Sequence, residues 1–244
     1  MLEEYTISVD IAKKSDYTAI QIYRKKAIIV PGKKLLGQRD MKINKFDLVK
    51  MEKIQGANYN AIAQRILLLA TVPNLLGKCD IIVDGTGVGE AVVDIMRELK
   101  LRPISIVFTG GNEYREVYDS PLNVFGNKNT RTGGMQVLKQ INVPKKDLVD
   151  AAVLVLQQGL LRFSPGVMYK EDFLLQLSKF KGKINEKGNT RYEADKESTH
   201  DDLVASFLMF AWWQHYQEPR EREEIEEENN YGFNEEADMN FKLF

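Results

Sequence analysis

The stretch CDIIVDG, residues 79–85, decides the fold. Ile81, Ile82 and Val83 follow one another without the alternation of a half-exposed strand, and a turn-forming Asp84-Gly85 closes the run. A short continuous apolar run of this kind suits a strand buried on both faces of a parallel sheet. Helical spacing appears on either side of it. Residues 58–69 place Ile62, Ile66 and Leu69 on one face, with a stop at 73–77, and residues 88–100 form a second helix. RPISIVFTG, from residue 102, is the next strand, so strand, helix and strand make a right-handed crossover unit.

Upstream, the period changes to two. YTISVDI, residues 5–11, sets Tyr5, Ile7, Val9 and Ile11 against Thr6, Ser8 and Asp10, which leaves Asp10 on the polar face of a first strand. TAIQIYR and AIIVPG read as two further strands separated by a polar break at Lys25 and Lys26, and LVKMEKI, 48–54, as a fourth. Downstream comes a long connection rich in glycine and asparagine, 109–133, of a length usually tied to function. Helices over 145–160 and 169–180 follow, then a hairpin over 181–195 around Lys187-Gly188-Asn189. The last helix is carried by STHDDLVASFLMFAWWQ, residues 198–214. The expected class is α/β: a mixed central sheet, an antiparallel meander plus parallel strands, flanked by helices.

A chain of 244 residues can bury a full core. The expected division is one domain over 1–217 and an acidic, flexible tail over 218–244. That tail holds ten Asp and Glu against three Lys and Arg, so the overall −1 conceals a body of +6. A basic body permits a polyanionic partner. The single cysteine, Cys79, excludes an internal disulfide and a cysteine-rich zinc site. The first ten residues carry acids where a secretion signal needs bases, and no apolar stretch approaches a membrane span, so a cytosolic protein without membrane contact is expected.

Four carboxylates stand at structurally telling places. Asp10 ends the polar side of the first strand, Asp84 ends the buried strand, and Asp201 and Asp202 open the last helix. Sites in sheets of this kind form beyond the carboxyl ends of the strands. With no run of His or Cys nearby, hard oxygen donors suit Mg²⁺ or Mn²⁺. Each residue also has a structural use: a turn after Asp10, an Asx-turn at Asp84, a helix cap at the Asp pair, and a polar flank for His200. DGTGVGE has glycines at 85, 87 and 89 and lacks the GxGxxG spacing of a dinucleotide loop. Asp201 and Asp202 are about 100° apart around a helix. Asp202 shares its face with the small residues Ala205 and Ser206, whereas Asp201 suits the capping role.

VDIAKKSDYTA, IIVDGTGVGEAVVDIM and HDDLVASFLMFAWW, in this order and at these separations, resemble the nuclease domain of the large terminase subunit of tailed bacteriophages over residues 4–217. The resemblance implies an RNase H-like fold and a two-metal site held by Asp10, Asp84 and Asp202 or Asp201, with Mg²⁺ or Mn²⁺ as the ions; of the pair, Asp202 is favoured as the principal ligand and Asp201 as a second or switching one. It implies an endonuclease that cuts concatemeric viral DNA by phosphodiester hydrolysis in the cytoplasm of an infected bacterial host. Implied partners are double-stranded DNA, a packaging ATPase domain, the portal and the small terminase subunit. Basic side chains expected at DNA phosphates are Lys128 and Arg131 in the long connection and Lys179, Lys181, Lys183, Lys187 and Arg191 around the hairpin. No GxxxxGK[ST] loop occurs, so an isolated nuclease domain is expected, one that neither hydrolyses ATP nor translocates DNA alone. The alternatives are a Holliday-junction resolvase or transposase-like nuclease and a non-catalytic DNA- or portal-docking module. An actin-like ATPase is disfavoured because AKKSDYT lacks a glycine-rich phosphate turn.

Overall fold

The computed structural model describes residues 3–12, 16–30, 41–118, 138–184, 190–194 and 201–217, with the backbone alone at 41, 181–184 and 190–194. Eight strands share one sheet: β1 (Glu4–Asp10), β2 (Tyr17–Val30), β3 (Met41–Gln55), β4 (Cys79–Asp84), β5 (Pro103–Thr109), β6 (Arg115–Tyr118), β7 (Leu138–Pro144) and β8 (Leu161–Phe163). Their spatial order is β6-β7-β5-β4-β1-β2-β3-β8. Helices α1 (Tyr59–Ala70), α2 (Gly89–Glu98), α3 (Lys145–Gln157), α4 (Lys170–Lys179) and α5 (residues 202–217) flank it. Strands β9 (Phe180–Ile184) and β10 (Thr190–Ala194) pair apart from the sheet, as the expected hairpin. Among the described residues no helix is long and apolar enough to cross a membrane.

Strand β1 joins the two halves. It is antiparallel to β2, which continues into β3, and parallel to β4, beyond which β5 and β7 continue parallel. The odd-numbered residues Tyr5, Ile7, Val9 and Ile11 share a core with Ile62 and Ile66 of α1 and Val92 and Met96 of α2. A second core gathers Phe207, Phe210 and Trp212 of α5 with Leu148 of α3, Phe173 of α4 and Ile82, Ile106 and Ile141 of the sheet. The polar side of β1 is therefore not solvated: Thr6 and Ser8 are buried beneath α5. The Ser8 hydroxyl donates to the Ser206 carbonyl at 2.7 Å, and the Ser206 hydroxyl donates to the Ser8 carbonyl at 2.9 Å. Gln214 Nε2 donates to Thr6 Oγ1 at 3.1 Å. These bonds satisfy hydroxyls that would cost about 1–3 kcal/mol each if buried alone, and they fix α5 along β1.

The antiparallel half differs from expectation in its boundaries. Lys25 and Lys26 do not break the chain into two strands; they pair in the ladder with Phe46 and Lys45 inside one continuous β2. Their charges are met by Glu4 at 3.1 Å and Asp47 at 2.8 Å, so the ladder carries them without interruption. Strand β3 begins at Met41 rather than at 48, β6 lies within the connection expected over 109–133, and β7 and β8 have no counterpart in the expected elements. Strand β7, LKQINVP, has too few consecutive apolar residues to signal a strand, and β8 is three residues long. The tail, 218–244, lies outside the described residues.

Candidate active site

Register brings the first two carboxylates together. In the parallel β1–β4 pair Val9 stands opposite Val83, so the next residues, Asp10 and Asp84, end the two central strands side by side. Alternation turns both toward α5, since Ser8 bonds Ser206 on that face and Ile82 belongs to the core beneath it. The Asx-turn at Asp84 forms: Asp84 Oδ1 accepts from the Thr86 N–H at 2.7 Å, while Thr86 Oγ1 accepts from the Phe108 N–H at 3.3 Å. The glycines of DGTGVGE serve this turn rather than a phosphate. Gly87 adopts φ +63°, and a Cβ on Gly89 would fall 1.7 Å from the Asp84 carbonyl oxygen, so only glycine lets α2 start directly under the strand end.

The third element is α5. Asp202, its first residue, is buried, and Asp201 precedes it half-exposed. Asp201 occupies the cap position, its carbonyl accepting from the Ala205 N–H at 2.8 Å. The free N–H of Leu203 is taken at 3.0 Å by Gln176 Oε1 of α4, so a residue from another helix supplies a first-turn bond of the kind expected from the Asp pair.

Burial pushes the Asp10 carboxyl well above the usual carboxylate range, and the negative charges of Asp84, then Asp202, then Asp201 push it further in the same direction. The side-chain hydrogen bond with Asp84 acts on Asp10 in the same direction. Asp84 is also raised by burial, against the lowering effects of its Thr86 bonds, the Asp10 bond and the positive charge of Lys145. The sequence does not single out Lys145: it is the first residue of α3, directly after the unexpected strand β7, and its Nζ also lies 5.9 Å from the centre of the Phe180 ring.

The donor set is made of carboxylate oxygens, which suit a hard divalent cation. Among the described residues no three His, Cys, Asp or Glu stand as a ready-made metal cage. Burial and the neighbouring carboxylates both disfavour charge on Asp10, and a cation among these oxygens would relieve both, which is the sense in which this set fits a metal. Of the basic residues expected at DNA, Lys128, Arg131 and Lys187 lie outside the described residues, as does His200. Lys181, Lys183 and Arg191 are on β9 and β10, with side chains outside the described part. Lys179 is the last residue of α4.

No family model and no curated protein matches the sequence. Solved structures do. The large terminase nuclease from thermophilic phage G20c with bound magnesium aligns over 87% of this chain and 82% of that chain, at TM-score 0.51 and 16% identity. The same nuclease with bound cobalt aligns over 87% and 81%, at TM-score 0.51 and 16% identity. At such identity the likeness is one of fold. The chain has the RNase H-like arrangement of large terminase nuclease domains, with its mixed sheet and flanking helices.

Proposed function

We propose that this chain is a metal-dependent DNA endonuclease of a viral DNA-packaging motor, cutting concatemeric genomic DNA by two-metal phosphodiester hydrolysis. The observation that carries the reading is the register that ends β1 and β4 in Asp10 and Asp84 side by side, with α5, which carries Asp202, bonded to β1 through Ser8 and Ser206. The likeness in fold to the G20c nuclease, solved with magnesium and with cobalt, supports it. Asp10, Asp84 and Asp202 would hold two Mg²⁺ or Mn²⁺ ions, with Asp201 as the second or switching ligand. When bound, such ions supply charge neutralisation at the scissile phosphate, an acidified water and stabilisation of the leaving 3′ oxygen.

The remaining work belongs to the chain. Asp10 and Asp84 end β1 and β4 side by side and would offer their carboxylate oxygens together. Thr86 fixes the direction of the Asp84 carboxylate through its N–H. The Ser8–Ser206 bonds set the distance between β1 and the end of α5 that carries Asp202. Lys145 places a positive charge beside the acids, where a DNA phosphate would enter. In this reading residues 1–217 are the nuclease domain, 218–244 a flexible tail, and Lys128, Arg131, Lys181, Lys183, Lys187 and Arg191 contacts to duplex DNA. The partners are a packaging ATPase domain, the portal and the small terminase subunit, in the cytoplasm of an infected bacterium.

The test is cleavage of supercoiled plasmid with Mg²⁺, Mn²⁺ or chelator, alongside Asp84→Ala. Nicking and linearisation that need the metal and vanish in the variant are expected. A folded wild-type protein that leaves plasmid intact in both metals, or a variant that cuts as well as wild type, overturns the reading.

A further inference from the structure

The first turn of α5 takes its acceptor from another helix. An Asp just before a helix ordinarily turns its carboxylate back onto the N–H two or three residues on. Asp201 stands in that place, since its carbonyl accepts from the Ala205 N–H at 2.8 Å, and Leu203 carries the nearer of those two N–H groups. The Leu203 N–H donates instead to Gln176 Oε1 at 3.0 Å. Among the described residues the Asp201 carboxylate accepts no backbone N–H. It is half-exposed, and its negative charge is felt at Asp10.

Gln176 is held in place from two sides. Phe173 of α4 is fully buried and meets Phe207 of α5 edge-on, centroids 5.5 Å apart. Asp172 lies four residues before Gln176, on the same side of α4, and pairs with Lys53 of β3 at 3.1 Å. Lys53 stands opposite Ala19 of β2, and Ala19 opposite Asp10 of β1. A closed frame results: β1 to β3 by register, β3 to α4 by the ion pair, α4 to α5 by Gln176, and α5 back to β1 by Ser8 and Ser206. A carboxylate that caps its own helix has its direction set by the N–H it accepts. We propose that Gln176 is a positioning residue: by accepting the Leu203 N–H it releases the Asp201 carboxylate from capping and leaves it, with Asp202, to a divalent cation. The inference rests on the metal site of the nuclease reading and deepens it, naming what keeps the second ligand available.

The test measures two quantities on the full chain: Mn²⁺ affinity, from the electron paramagnetic resonance signal of free Mn²⁺, and melting temperature in chelator. The proteins are wild type, Asp201→Ala, Gln176→Met and the double variant. In the wild-type background Asp201→Ala should weaken Mn²⁺ binding about 10-fold and leave the melting temperature almost unchanged. Gln176→Met should weaken binding by a similar factor, because Asp201 then turns to cap Leu203. Adding Asp201→Ala to Gln176→Met should cost little further affinity and lower the melting temperature by about 2–4 °C, since the cap is now lost. Three results overturn the role of Gln176 and leave the metal site standing: wild-type Mn²⁺ affinity in Gln176→Met, the same two effects of Asp201→Ala in both backgrounds, or a Gln176→Met chain that no longer melts cooperatively. A wild-type chain that binds no Mn²⁺ overturns the metal site itself, and this inference with it.

Discussion

Asp10 on β1 and Asp47 on β3 lie in the same sheet and carry the same carboxyl group, yet their ionisation is shifted in opposite directions. Burial opposes the charge of both. Around Asp47 that effect is overcome by Lys26 at 2.8 Å and Arg24 at 2.9 Å, so its carboxyl is held below the usual range. Glu52 is treated alike by Arg65 and Lys50. Around Asp10 the neighbours are Asp84, Asp202 and Asp201, and the carboxyl is driven up. The same sheet thus supplies cations to its acids on β3 and gathers further acids around Asp10 on β1.

Substitution at the two places separates these roles most sharply. Asp10→Asn removes one of the clustered carboxyl groups with little change of shape, so metal-dependent cleavage should fall by about 10²-fold or more, while the melting temperature of the metal-free protein holds or rises. A fall in both would mean that Asp10 is structural. Magnesium is the next lever. At roughly 100-fold excess over its Kd it should stabilise the wild type by about 2.7 kcal/mol, read as a shift in denaturant midpoint that Asp10→Asn abolishes. An equal shift in the variant would place the ion elsewhere.

Asp47→Asn should do the reverse of Asp10→Asn, costing about 1–3 kcal/mol of stability by denaturant titration and leaving cleavage per folded molecule unchanged. Ser206→Ala removes one of the two bonds between α5 and β1 and should cost about 1 kcal/mol, together with a smaller loss of cleavage because Asp202 rides on that helix. If cleavage were untouched, the spacing of α5 from β1 would not matter to the site.

The smallest effect is on pH dependence. Asp10, raised in the folded state, contributes stability that is complete below the unfolded carboxylate pKa and is lost as pH rises through the folded value. Asp47 and Glu52, lowered in the folded state, contribute stability that is present above the unfolded value and is lost as pH falls through the folded one. In metal-free protein, denaturant midpoints should therefore decline on the alkaline side of the ordinary carboxylate range. Asp10→Asn should flatten that decline and keep the acid limb. A decline unchanged in the variant would assign it to another group.

Some of this architecture is legible in the residues themselves. The alternation of YTISVDI, the unbroken CDIIVDG and the helical spacing of 58–69 each bury a face whose period is local, so β1, β4 and α1 can be recognised without their neighbours. Strands β7 and β8 cannot, because their place in the sheet comes from β5 and β3 rather than from their own pattern. The lysine pair in β2 misleads for a related reason: Lys25 and Lys26 look like a break until Glu4 and Asp47 are seen across the ladder.

The candidate site divides along the same line. The sequence alone marked Asp10, Asp84, Asp201 and Asp202 by their positions at strand and helix ends, since an acid at such a boundary is conspicuous beside an apolar run. Only the tertiary structure decided that Asp10 and Asp84 stand in register, that Ser8 and Ser206 hold α5 over them, that Gln176 bonds the first turn of α5 and that Lys145 comes beside Asp84. Hydrophobic periodicity is written within a few successive residues, whereas the charge surrounding a buried carboxyl is summed over groups that the chain brings together only by folding.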